Sequence, residues 1–141
     1  MTLGALLQKQ AGNSPKVAFI MEWSSRAGGP LMLSFEEFFA AVAAAHKSLA
    51  ARGIESGNRV ALLSHPTTAF FVNAYAVMAA GGACALLNWR QPASVLVKMI
   101  ADSGCVVLLS SAAFSERVRA CYSLRSSAVK AHTVALHAVG R

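Results

Sequence analysis

Gly57-Asn58-Arg59-Val60-Ala61-Leu62-Leu63 decides how this chain is read. Gly57 and Asn58 are turn formers. The run from Val60 to Leu63 is short and apolar at consecutive positions, and Ser64-His65-Pro66 ends it. A strand with one wet face alternates apolar and polar residues, whereas one that is apolar throughout belongs to a sheet covered on both sides. Downstream the same unit recurs. A helix over 66–80 leads to a strand over 83–87, a helix over 93–103 to a strand over 105–109, and a helix over 112–125 to a strand over 132–138. Strands separated by helix-length crossovers predict a parallel sheet with right-handed connections.

Upstream of Gly57 the pattern differs. Leu3, Leu6 and Leu7 share one face of a short helix over 3–10. Val17 to Trp23 is β-like, and Leu31 to Leu33 follows the turn-rich Ser24-Ser25-Arg26-Ala27-Gly28-Gly29-Pro30, which predicts a hairpin. Ser34-Phe35-Glu36-Glu37 has the form of a capping box, with Leu33 and Phe38 at the two staple positions around it. Phe35, Phe38, Phe39, Val42 and Leu49 keep one face of the ensuing helix apolar, and Gly53 supplies a left-handed stop. The fold class predicted is α/β: a Rossmann-like, mostly parallel sheet with flanking helices, preceded by a β-hairpin.

Composition agrees with a packed protein. Hydrophobic residues make up 55% of the 141, but 28 are Ala, which packs helices more than it builds a large core. Low hydrophobicity with high charge, the signature of disorder, is absent. With no internal repeat, low-complexity run or linker, residues 1–141 read as one domain, the pattern being faintest over 119–141.

The net charge of +7 is uneven: residues 117–141 hold Arg117, Arg119, Arg125, Lys130 and Arg141 and no acid. Aliphatic residues interrupt these bases, and no aromatic residues interleave to stack on nucleobases, so no nucleic-acid partner is expected. Cys84, Cys105 and Cys121 form no CxxC pair, and the four histidines form no ligand cluster; His132 and His137, five apart, would face opposite sides of a strand. No metal site is assigned. Free thiols suit a reducing compartment, and no secretory signal is evident near Met1, so a cytoplasmic protein is expected. Between Arg59 and Arg90 the sole ionisable group of acid or base type is His65. A helix over 66–80 would nevertheless be roughly 22 Å long, short of the ~30 Å hydrocarbon core, so no transmembrane span is expected.

Taken in order, several segments resemble the N-terminal region of the AMP-forming acyl-CoA synthetase and ligase (adenylate-forming) family. They are Thr2-Leu3-Gly4, Pro15-Lys16-Val17-Ala18, Ser34-Phe35-Glu36-Glu37-Phe38, Ala51-Arg52-Gly53-Ile54, Gly57-Asn58-Arg59-Val60-Ala61, Ala79-Ala80-Gly81-Gly82-Ala83 and Ala101-Asp102-Ser103-Gly104-Cys105. Asn88-Trp89-Arg90 is similar to the triplet of medium- and long-chain fatty acyl-CoA synthetases, where other branches tend to have Pro in the middle. The resemblance covers about residues 2–118. His65 stands where relatives often have Asn, and Leu87 where Pro is common.

The resemblance implies ATP-dependent activation of a carboxylic acid, a fatty acid in the branch with this triplet, to an acyl-adenylate and then a thioester, with ATP, Mg²⁺ and CoA used by the full-length family. The chain shows no Ser/Thr/Gly-rich phosphate loop followed by Lys, no P-loop and no G-x-G-x-x-G. Gly81-Gly82 lacks hydroxyl neighbours and a downstream base, and no Ser–His–Asp or Cys–His arrangement replaces it. No catalytic, cofactor-binding or metal residue is therefore assigned. The expectation is an N-terminal fragment of a synthetase that is inactive alone and binds no cofactor alone. Its partner would be the remainder of a synthetase or a second copy. The alternatives are a non-catalytic interaction module or split subunit with the same fold, and, further off, a membrane or nucleic-acid binder.

Overall fold

The computed structural model describes residues 2–23, 30–124 and 132–135. Helix α1 (Leu3–Asn13) starts under Thr2, whose hydroxyl accepts from the Ala5 amide at 3.2 Å. It runs three residues beyond the expected end. Strands β1 (Ala18–Glu22) and β2 (Leu31–Ser34) pair antiparallel as the hairpin, with Met21 opposite Met32 and Glu22 opposite Leu31.

Helix α2 (Phe35–Ala50) carries the capping box: the Glu37 amide donates to Ser34 Oγ at 3.3 Å, and the Ser34 amide donates to Glu37 Oε2 at 2.8 Å. Its end is read from hydrogen bonds. Gly53 at φ 78° lets the Ile54 amide reach the Leu49 carbonyl and the Gly53 amide reach the Ala50 carbonyl. These are the two bonds of a Schellman ending, sealed by apolar contact between buried Ile54 and Leu49.

Four parallel strands follow: β3 (Arg59–Leu63), β4 (Ala83–Leu86), β5 (Val107–Ser110) and β6 (His132–Ala135). Their order across the sheet is β4-β3-β5-β6. The first strand is thus central. Val60 pairs with Cys84 on one side and Val107 on the other, and β5 pairs in turn with β6. The connecting helices are α3 (Thr68–Ala79), α4 (Ala93–Ser103) and, after a single 3-10 turn at Ala112–Phe114, α5 (Ser115–Leu124).

Both faces of the sheet are covered at β3 and β5, as their all-apolar runs require. Val60, Leu62, Val107 and Leu109 pack with α2 and α3 residues such as Phe38, Leu49, Val72 and Val77. The alternate residues Ala61, Leu63 and Leu108 pack with Leu96 and Ile100 of α4 and Val118 of α5. The hairpin joins the first layer through aromatic rings: Phe19 lies 4.8 Å from Phe38, and Phe38 lies 5.2 Å edge-on to Tyr75. No helix among the described residues is long and apolar enough to cross a membrane.

Two boundaries move for identifiable reasons. Helix α3 starts at Thr68 rather than near Pro66 because Thr67 is the cap, its hydroxyl accepting from the Phe70 amide at 3.3 Å. Strand β5 starts at Val107 rather than Cys105 because the Cys105 amide is spent on the Ile100 carbonyl, closing α4 behind Gly104 at φ 64°. Of the last expected strand, 132–138, residues 132–135 are strand, and 136–138 lie outside the described residues.

Candidate functional site

The strand order locates the place where this fold can hold a ligand. From β3 the chain passes through α3 to β4 on one side, then through α4 back across to β5 on the other. The loop after β3 enters α3 on one face of the sheet and the loop after β5 leads to α5 on the other, so the two diverge at the carboxyl ends of these neighbouring strands.

Three loops reach this edge. Ser64-His65-Pro66-Thr67 follows β3, Leu87-Asn88-Trp89-Arg90-Gln91 follows β4, and Ser111 with the 3-10 turn follows β5. Backbone bonds tie the last two of these loops to β3: the Leu87 amide to the Leu62 carbonyl at 2.9 Å, and the Ser111 amide to the Leu63 carbonyl at 3.3 Å. Their side chains converge. His65 lies 4.6 Å from Trp89 and 4.8 Å from Phe114, ring centre to ring centre. The Arg90 guanidinium sits 4.3 Å over the Trp89 ring. Asn88 Oδ1 accepts from the Arg90 amide at 3.0 Å, which fixes the turn that lifts Arg90 there. Arg117 of α5 reaches under the loop, its Nη1 donating to the Trp89 carbonyl and to the Gln91 carbonyl at 3.0 Å.

The cluster is graded in burial: Phe114 is 7% exposed, Trp89 is half-buried, and His65 and Arg90 face solvent. An exposed imidazole edge and a stacked guanidinium on a rigid aromatic floor suit contact with a planar or anionic group. Burial pushes the Cys84 thiol up to about 11, and burial also raises Cys121 against the opposing pull of Arg117.

The paired glycines serve the turn. The Gly81 and Gly82 amides donate to the Met78 and Val77 carbonyls, so neither is left for a phosphate. They also sit at the amino end of β4, away from the carboxyl-end edge. Among the described residues no group of three His, Cys, Asp or Glu side chains is placed to hold a metal ion.

Asn88, Trp89 and Arg90 stand out as a triplet in the sequence, and the structure brings two of them together with His65 and Phe114. Phe114 and Arg117 carried no signal of their own, because the contact depends on β5 lying beside β3.

The family profile described as AMP-binding enzyme matches residues 7–139. The chain belongs to that family. Two plipastatin synthase polypeptides of Bacillus subtilis (strain 168) are each 34% identical to it over 109 residues, which are 77% of this chain and 4% of either protein. Among solved structures, a Mycobacterium tuberculosis fatty acyl CoA synthetase superposes with a TM-score of 0.81 at 21% identity, over 95% of this chain and 26% of that one. O-succinylbenzoate Coenzyme A synthetase from Bacillus subtilis, in complex with AMP, gives 0.77 at 20% identity, over 94% of this chain and 31% of that one. These likenesses establish the fold of the N-terminal part of acyl-CoA synthetases. The 141 residues thus span 4% of either plipastatin synthase polypeptide and less than a third of the two solved synthetases.

Proposed function

We propose that this chain forms the N-terminal portion of an AMP-forming acid–thiol ligase, supplying the sheet and the carboxyl-end edge, and that it is inactive alone. The reaction of the whole enzyme would be attack of a carboxylate on ATP to give acyl-adenylate and pyrophosphate, followed by thioester formation with CoA. The observation that carries this reading is the family match over 7–139. It is supported by a fold that accounts for 26% and 31% of two solved CoA ligases. A fatty acid is the proposed substrate class, on the similarity of Asn88-Trp89-Arg90 to the triplet of fatty acyl-CoA synthetases. The proposed compartment is cytoplasmic.

The partner follows from the same reading. Among the described residues strand β4 is an edge strand, and Leu86 at its end is 57% exposed. An open edge beside an exposed apolar residue favours association. The occupant proposed is the remainder of a synthetase, whose phosphate-binding residues would complete the site. A polypeptide holding a related synthetase without the part equivalent to 7–139 should bind this chain and raise its melting temperature. Sedimentation as a stable monomer unaffected by that polypeptide would sink the reading in favour of a self-sufficient interaction module.

One observation favours a second reading. Identity is 34% to the plipastatin synthase polypeptides but 20–21% to the two CoA ligases above. A portion of a large synthase polypeptide is the alternative. ATP–pyrophosphate exchange by the completed enzyme without any thioester formation on CoA would select it.

A further inference from the structure

A helix start leaves its first amides without intrahelical partners. In α3 the Phe70 amide is satisfied locally by Thr67 Oγ1. The Thr68 amide is satisfied from far away: it donates to Glu22 Oε2 at 2.7 Å, across 46 residues of sequence. Glu22 is the last residue of β1, and the hairpin is a separate sheet from the parallel one. The bond is short and charge-assisted, and the positive end of the α3 dipole favours the carboxylate. Its loss would be felt, because Thr68 is 1% exposed and its hydroxyl already lacks a hydrogen-bond partner among the described residues.

From Thr68 to the carboxyl-end edge the path is short. The Thr67 amide bonds the His65 carbonyl at 2.8 Å, closing the turn between β3 and α3. His65 then meets Trp89 and Phe114. Because β3 is locked in the sheet, the point where α3 begins sets where His65 stands.

We propose that Glu22 is a positioning residue for the carboxyl-end edge: through Thr68 the hairpin holds His65 against Trp89. Its importance to turnover rests on that edge facing substrate, but the clamp itself is a matter of geometry and is tested without activity. Trp23→Phe leaves Trp89 as the single tryptophan of the full chain. In that background, His65→Leu changes Trp89 emission by removing the imidazole at its edge. The change is expected to persist with Glu22→Gln, whose amide oxygen still accepts from Thr68, and to fall by at least half with Glu22→Ala. Hydrogen exchange over residues 65–70 should quicken at least tenfold in Glu22→Ala while the middle of α2 and β5 keep their rates.

An undiminished His65-dependent change in Glu22→Ala, or exchange that quickens equally throughout the chain, overturns the proposal. If Glu22→Ala does not fold, Glu22→Gln decides. The Thr68 amide should exchange severalfold faster than in the parent, because the ionic part of its bond is gone, and a parental rate overturns the clamp. Failure here leaves the family function standing, just as failure to bind a synthetase remainder leaves the clamp standing.

Discussion

Replacing Phe38 by Ala should cost about 3–5 kcal/mol. Its ring is fully buried and meets Phe19 at 4.8 Å and Tyr75 at 5.2 Å, so one side chain ties β1, α2 and α3 together. A phenylalanine buries roughly 150–200 Å², which at ~25 cal/mol/Å² is about 4–5 kcal/mol of transfer free energy. The denatured chain already hides part of that area and alanine keeps the β-carbon, while the cavity left behind adds to the loss. With a urea slope of about 2 kcal/mol/M, the midpoint should fall by about 1.5–2.5 M. Phe38→Leu keeps most of the volume and loses the two ring contacts, about 0.5–1.5 kcal/mol each, so its midpoint should fall by about 0.5–1.5 M. Urea titration followed by far-ultraviolet circular dichroism reads both. A fall of less than about 0.5 M for Phe38→Ala would mean that the hairpin and the two helices do not share this core. The leucine variant keeps the test alive if the alanine variant does not fold.

Glu37 is held below its ordinary value of 4.5, first by the Ser34 amide and then by the Ser34 hydroxyl. A carboxyl with a depressed folded-state pKa stabilises above its unfolded pKa and loses that effect as pH falls through the folded value. The melting difference between parent and Glu37→Gln should therefore be present at about pH 7 and shrink below about pH 4; a difference that grows on acidification would refute the capping box. Gly53 sits at φ 78° with open space around its missing side chain, so Gly53→Val should lower stability by at least about 1–2 kcal/mol through backbone strain alone. An unchanged denaturation midpoint would mean that α2 ends elsewhere. Thr68→Val removes a buried hydroxyl without a partner among the described residues and should leave the melting temperature unchanged or higher, while a clear loss would show that the hydroxyl is bonded.

What was legible in the sequence was local. Ser34, Gly53, Gly81 and Gly104 act within a few residues of themselves, so the bounds of α2 and α4 and the turn after α3 could be read directly. The consecutive apolar residues of β3 and β5 announced a sheet covered on both faces, and the core shows those residues split alternately between two helix layers. The site was not legible in the same way. Trp89 stood out only as part of a resemblance, and Phe114 looked like any apolar residue after a strand. Their meeting with His65 depends on β3 lying between β4 and β5, an order that no short motif encodes. The bond from Glu22 to Thr68 was silent for the same reason: a lone carboxylate at a strand end carries no mark of a helix start 46 residues away.

The most direct test of the central claim is carboxylate-dependent ATP–pyrophosphate exchange, measured on the purified chain with and without a polypeptide holding the rest of a related synthetase. The account predicts no exchange from the chain alone at millimolar ATP with magnesium and a fatty acid, and exchange once the remainder is added. Exchange by the chain alone, surviving every step that removes contaminating synthetases, would contradict it.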